Sequence, residues 1–541
     1  MRLLPLMLCA CLLALPSCHK ADPIEDQISI LKADRSTSEK KRACENLRKI
    51  AKKQAVPGLV DALKVVNATI KGEIAQILGD LKDPSAAAAL GQALDLSVAD
   101  DGDADAHAQA NGANKLIARA LGDIGGKDAV QPLIGLLEAT HDDYVRIETL
   151  TALGKLKDPA AVPALSKIAL DEHQTALITK KALLSLAKID DPAALPTFMT
   201  IAFERKSDTF FSEAAVGLFM LGDAAKDPIL ALLKNEKDLP EWAEARDILI
   251  SALYAKLAQI QADLQDKRAV EPLIKLLRHE DENESLQRVV RMNAAFSLGR
   301  MRAEAAAGPI AAMLADEDAT TRGVNARALV EIGDKAALPK LAECARSGSW
   351  GAREPCMLGL ALLGGQGEIK ILDGFAKDEA ARYAKECAKA EPTEPDCKVD
   401  VKERPAYLEG RVGTIDSYKK ALELITACKD DKCLEAALAA AEPVVRERAA
   451  YELGRHGAAG AVPALLAAVK RPIGNPMDLK PRVAAICAVD WITGASPAAM
   501  AAAKGEAAAL HAQIEQEKDN PLATKVADEA QRLAIKLERA K

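Results

Sequence analysis

TALGKLKDPAAVPALSKIAL (residues 151–170) decides how the chain is read, because the same wording returns along most of its length. It meets ALGDIGGKDAVQPLIGLLEA at 120–139, SLAKIDDPAALPTFMTIAFE at 185–204 and SLGRMRAEAAAGPIAAMLAD at 297–316. Further copies are ALVEIGDKAALPKLAECARS at 328–347 and ELGRHGAAGAVPALLAAVKR at 452–471. The residue after the Leu, usually Gly, marks each copy: 79, 122, 154, 187, 222, 258, 299, 330, 364 and 454. Most intervals are 31–36 residues, too long for one helix and a turn and right for two helices with two turns. Within a copy, Ile147, Leu150 and Leu153 recur at helical spacing along a first helix. Gly154 or a neighbouring residue releases the chain into a turn. Asp158-Pro159 then starts a second helix, Asp as cap and Pro in the first turn, with Val162, Leu165 and Ile168 as its apolar face. Neither stripe can be buried alone, so the copies must stack.

The pattern Val-Arg…Ala-x-x-Leu-Gly…Asp-Pro-Ala-Ala-Val-Pro-x-Leu resembles the short HEAT repeat, including the variety named after phycobilisome lyases. The resemblance implies an all-α right-handed superhelix (solenoid) of about a dozen helix pairs and a protein-binding role. It also implies second helices lining the ligand-facing surface, which singles out Glu271, Lys275 and Arg278 as candidate partner contacts.

Composition agrees with thin helical layers. Aromatic residues are 3% of the chain and apolar residues 49%, so small aliphatic side chains must fill the core. A formal net charge of −7 gives no attraction to phosphate backbones, and nucleic acid is not expected as a partner.

MRLLPLMLCACLLALPSC (residues 1–18) is a basic start followed by an apolar run too short to span a bilayer. Its end, Leu15-Pro16-Ser17-Cys18, resembles a bacterial lipobox with Cys18 as the acylated residue. The resemblance implies an envelope lipoprotein, and His19 in place of Asp after the modified Cys implies the outer membrane, facing the periplasm. The expected organisation is a signal peptide (1–17), a tether (18–35), a HEAT-repeat solenoid (36–380), a divergent Cys-containing region (381–444), C-terminal HEAT repeats (445–496) and a helical cap (497–541). Ser36-Thr37-Ser38-Glu39 marks the first helix start.

Eight cysteines lie beyond Cys18, an even number suited to disulfides in an oxidising compartment. Local pairings are expected: Cys344 with Cys356, Cys387 with Cys397, and Cys428 with Cys433, leaving Cys44 and Cys487 as buried thiols. The alternative, a zinc site from residues 387, 397, 428 and 433, lacks a Cys-x-x-Cys pair and any neighbouring His.

Chemistry-bearing motifs are sparse. Asp101, Asp103 and Asp105 have the spacing that opens a calcium loop, but Ala106 and Gly112 occupy the Gly and Glu positions such a loop requires. The seven His are isolated along the chain, and there is no HExxH, GxSxG or P-loop. Gly364-Gly365-Gln366-Gly367 falls where other copies turn. Neither a metal nor a cofactor is expected. Five of seven Phe cluster at 198, 203, 210, 211 and 219; Phe203, Phe210 and Phe211 are the candidate anchors, core filling being the competing role. The expected function is a membrane-anchored, non-catalytic scaffold for an envelope protein or peptide. The alternative is a cofactor-handling, lyase-like enzyme on the same repeats.

Overall fold

The computed structural model describes residues 22–97, 104–205, 207–234, 243, 249–316, 318–392 and 394–539. Cys18 and His19 lie outside them, as do Asp101 and Asp103. Among the described residues there is helix and no strand. The helices alternate as first and second members of pairs, such as Asp143–Leu156 with Val162–Leu170 and Pro443–His456 with Val462–Lys470, which makes the fold an all-α superhelix. The chain divides into two compact units, residues 1–225 and 226–541.

Each pair is built by the same local chemistry. The first helix ends on a residue with positive φ, three places after the Gly marker: 82, 125, 157, 190, 302, 333 and 457. The Asp after the turn accepts a backbone N–H two residues on, as Asp83, Asp158, Asp191 and Asp334 do at 2.8–3.1 Å. A single turn of 3₁₀ helix then leads into the second helix. The marker at 258 is corrected by this geometry: Gln265 makes the left-handed turn and Asp266 the cap, so Ala262 is the equivalent position. Leu257-Ala258 copies the motif one helical turn early. The second-helix stripe is likewise Val162, Leu165 and Ala169, with Ile168 half-buried. At 3.6 residues per turn a side chain seven places on returns to the same face, whereas one six places on lies about a third of a turn away.

Gly222 and Gly364 stand at the turns as helix C-caps, but the marker glycines at 79, 122, 154, 299 and 454 lie inside the first helices and are not the turn residues. A Cβ on Gly79 would stand 3.1 Å from Ala120 Cα, on Gly122 2.8 Å from Ala152 Cα, and on Gly454 3.0 Å from Ala488 Cα. They let consecutive first helices touch backbone to backbone, and backbone cannot move aside as a side chain can.

In five first helices the fourth residue is Arg: 146, 322, 353, 446 and 482. Arg482 donates to the carbonyls of Val469 (2.6 Å) and Arg471 (3.1 Å) and pairs with Glu517 at 2.7 Å. Arg446 does the same with Ala440, Ala441 and Asp478. The Arg thereby satisfies the open carbonyls after the preceding second helix and fastens the following pair.

The first unit stacks neighbour on neighbour. Its N-terminal stretch, expected as a tether up to residue 35, is helical over Pro23–Lys32, with Ile24, Ile28 and Leu31 buried. Apolar residues at helical spacing made that helix and its contact with the first pair unavoidable. Ser36 and Glu39 form a reciprocal capping box at the next helix.

The second unit also packs at long range. Arg327 pairs with Glu447 at 2.8 Å, Arg455 donates to Val330 O at 2.7 Å, and Arg448 donates to Gly364 O at 2.7 Å. Gln265 donates to Asp490 at 2.8 Å, and Arg532 pairs with Asp263 at 3.0 Å. The first helices of its early and late pairs thus face each other across a polar seam. Helix Ala527–Glu538, within the expected helical cap, buries Leu533, Ala534, Ile535 and Leu537 and joins that seam.

Candidate binding cleft

The irregular part of the second unit begins at helix Gln366–Cys387, which runs through the expected boundary at 380, and continues through helix Arg404–Ala427. Between them the chain passes a 3₁₀ turn, Pro395–Lys398. A disulfide joins Cys387 to Cys397 with Cα atoms 4.9 Å apart. Two others join Cys344 to Cys356 (6.0 Å) and Cys428 to Cys433 (5.4 Å), so these six sulfurs are not thiolates open to a metal. Cys44 and Cys487 are buried thiols. Burial pushes each up to about 12, although Arg300 lies 2.6 Å from the Cys487 sulfur.

The loop closed by Cys387 and Cys397 forms one wall of an open cleft of about 510 Å³. Trp350 and Gly351 from helix Trp350–Leu363 face it, as do Pro395, Val399 and Tyr407. Its floor is a buried charge network. Arg353 grips Glu379 with both Nη atoms at 3.0 and 2.9 Å. Arg411 reaches Glu379 at 3.2 Å, Glu394 at 3.0 Å and Asp396 at 2.8 Å. Glu394 accepts the Trp350 N–H at 2.6 Å, and the Arg411 guanidinium lies 5.2 Å from the Trp350 ring centre and 4.8 Å from that of Tyr383. Burial works against the Arg411 charge, but Glu394 and Asp396 outweigh it and hold its pKa above the usual guanidinium value. Every carboxylate here faces a guanidinium. The network therefore fixes the cleft's shape.

Replacing Cys387 and Cys397 together by Ser is expected to cost about 2–3 kcal/mol, the chain-entropy value for a loop of this length. Protease cleavage within the loop should appear before the rest of the second unit is cut. Equal cleavage of parent and variant would show that the Arg411 contacts hold the loop alone.

The sequence-expected surface residues are scattered. Phe203 is corrected: at 1% exposure it is core, like Phe198, and offers no partner an anchor. Phe198 takes the place that Leu165 holds in the preceding copy, and its ring lies over Gly217, where a Cβ would collide with it. Phe210 and Phe211 are half-buried at a first-helix start. Glu271, Lys275 and Arg278 are exposed on helix Val270–Leu276 and the turn after it, apart from the cleft. Arg353 could have been found by aligning the copies, since it holds the repeated Arg position; Glu379 and Arg411, on helices outside the pattern, carry no such signal.

Ser251, His279 and Asp281 resemble a hydrolytic trio in composition. Ser251 Oγ is 2.7 Å from His279 Nε2 and donates to Asp281. Its residue is fully buried, and the carboxylate bonds the hydroxyl, not the imidazole it would need to orient. Burial lowers the His279 pKa. These contacts close a turn.

Among the described residues no group of His, Cys, Asp or Glu is arranged to hold a metal, and no helix is long and apolar enough to cross a membrane.

A search of curated proteins finds no match to the chain. Solved structures similar to it include human deoxyhypusine hydroxylase in complex with glycerol (20% identity, 52% of this chain and 97% of that one, TM-score 0.19). Yeast importin-β (Kap95p) is similar at 12% identity over 93% of this chain and 75% of that one, TM-score 0.34. The Kap95:Nup1 complex is similar at 10% identity over 93% and 76%, TM-score 0.37. These likenesses concern helical architecture and say nothing about activity. Residues 105–179 and 270–361 match the family model described as HEAT repeats, so these two stretches carry HEAT repeats, and the same cap, turn and stacking geometry recurs outside them.

Proposed function

We propose that the chain is a non-catalytic scaffold, tethered by acylated Cys18 to a bacterial envelope membrane, and that it holds an envelope protein or peptide. The observation that carries this reading is the cleft. One wall is closed by a disulfide, and the floor sets three carboxylates, Glu379, Glu394 and Asp396, against two guanidiniums, Arg353 and Arg411, so the cleft offers a partner's side chain a shaped, mildly acidic seat. The outer membrane, facing the periplasm, is the location that His19 after Cys18 favours.

Crosslinking and pulldown from envelope membranes tests it, with the native chain beside Cys18→Ala. A discrete protein captured by the first and lost or reduced with the second is the expected result. A small molecule co-purifying in stoichiometric amount, with no protein, would replace the scaffold by a cofactor-handling role.

A further inference from the structure

The exposed large apolar side chains of the first unit gather on one edge. There each second helix hands the chain to the next first helix, and the turns touch in sequence. Asn67 Nδ2 donates to Thr37 Oγ1 at 3.1 Å, Arg146 Nη1 to Gln174 Oε1 at 2.7 Å, and Arg205 Nη2 to Leu170 O at 2.8 Å. On these turns, or one residue into the helices they join, stand Val65 (58% exposed), Leu96 (50%), Tyr144 (72%), Leu170 (39%) and Leu177 (57%). Among the unit's described residues, Ile50 (37%) is the other large apolar side chain so exposed, and it lies at the opposite edge. A core with surplus apolar residues would scatter them over all faces; five of six on one edge is a surface.

The same turns are acidic. Asp34, Asp95, Asp142, Asp143, Asp171, Glu172 and Asp208 lie on or beside them, against Arg35, Lys64, Arg146 and Arg205. Asp142 caps Val145 N–H at 2.9 Å, Asp171 accepts from His173 N–H at 3.0 Å, and Lys64 is paired with Asp61 at 3.1 Å. Capping satisfies a carboxylate's hydrogen bonds without removing its charge, so the edge stays negative.

We propose that this edge docks an extended, basic segment of a protein partner carrying an apolar side chain at every third residue. Stacked helices stand about 8–10 Å apart. An extended segment in the polyproline II conformation rises about 3.1 Å per residue with three residues per turn, so every third side chain falls on one face and three residues span one pair. Each apolar side chain of the segment meets one exposed residue of the edge, and the basic residues between them meet the acids. The proposal rests on the scaffold reading and names the surface and the class of segment it holds.

The test uses the full chain and a labelled peptide repeating Leu-Lys-Lys, beside a peptide of the same composition with the leucines contiguous and one repeating Leu-Glu-Glu. The first should bind, weaken with added salt, and bind about tenfold or more better than either control. Tyr144→Ser with Leu177→Ser should weaken it about tenfold or more at unchanged melting temperature, because both side chains are exposed. Asp143→Lys with Glu172→Lys should weaken it and flatten its salt dependence. Unchanged binding by either double variant, or equal binding of either control peptide, overturns the proposal. An envelope partner still captured by the Tyr144→Ser, Leu177→Ser chain also overturns it and leaves the scaffold standing. A parent chain that captures no partner at all defeats the scaffold reading, whatever the peptides do.

Discussion

Arg411→Ala is expected to cost about 3–5 kcal/mol, the usual result of removing one partner from a buried ion network. Arg411 is 5% exposed, and its carboxylate partners are 1–12% exposed. Glu379 would keep Arg353 and Glu394 would keep the Trp350 N–H. Asp396 would lose its ion pair, and two carboxylates would remain charged in a low-dielectric floor. Urea denaturation of parent and variant at neutral pH measures the cost. Adding Glu394→Gln and Asp396→Asn to the variant should recover part of it, since a stranded amide costs less than a stranded charge. A loss below about 1 kcal/mol would mean that water reaches the floor and that the cleft is softer than its contacts imply.

Gly112→Ala and Gly122→Ala should have opposite signs although both lie in helix Ala104–Ile124. Ala is favoured over Gly inside a helix by about 1 kcal/mol. At Gly112 nothing lies within 4 Å of the added Cβ, so the full gain is expected. At Gly122 the Cβ would meet Ala152 Cα and Cβ at 2.8 Å, and forcing two helix backbones apart costs about 1–3 kcal/mol or more, enough to reverse the sign. Val at the same position should cost more again. Thermal melts of the two Ala variants decide it; if both stabilise, the first helices are not in backbone contact.

The repeats were legible because cap, turn and stripe recur with the copies: Asp158-Pro159, Leu150 with Leu153, Val162 with Leu165. Gly154 was legible as a marker but not in its role, since a turn glycine and a helix-contact glycine look alike until the neighbouring helix is in place. The paired cysteines stood close enough in sequence to suggest their partners. The cleft was not legible. Glu379 and Arg411 meet through helices that break the repeat, and Trp350 alone does not say that a guanidinium lies against its ring. Tyr144 and Leu177 are ordinary apolar residues in the sequence. Only the alignment of successive turns makes them a row.

The contacts of Arg532 with Asp263 and of Gln265 with Asp490 give the two units different ways to fail. A stack held neighbour to neighbour behaves like a zipper: it frays from an end, and each layer exchanges its amide hydrogens on its own schedule. The second unit is fastened like a hoop. Cutting helix Ala527–Glu538 takes the Arg532 contact away from helix Ile250–Leu264 as well as loosening its neighbour Leu479–Ala495, so its layers should let go together, with one protection free energy shared across the unit where the first unit shows a gradient.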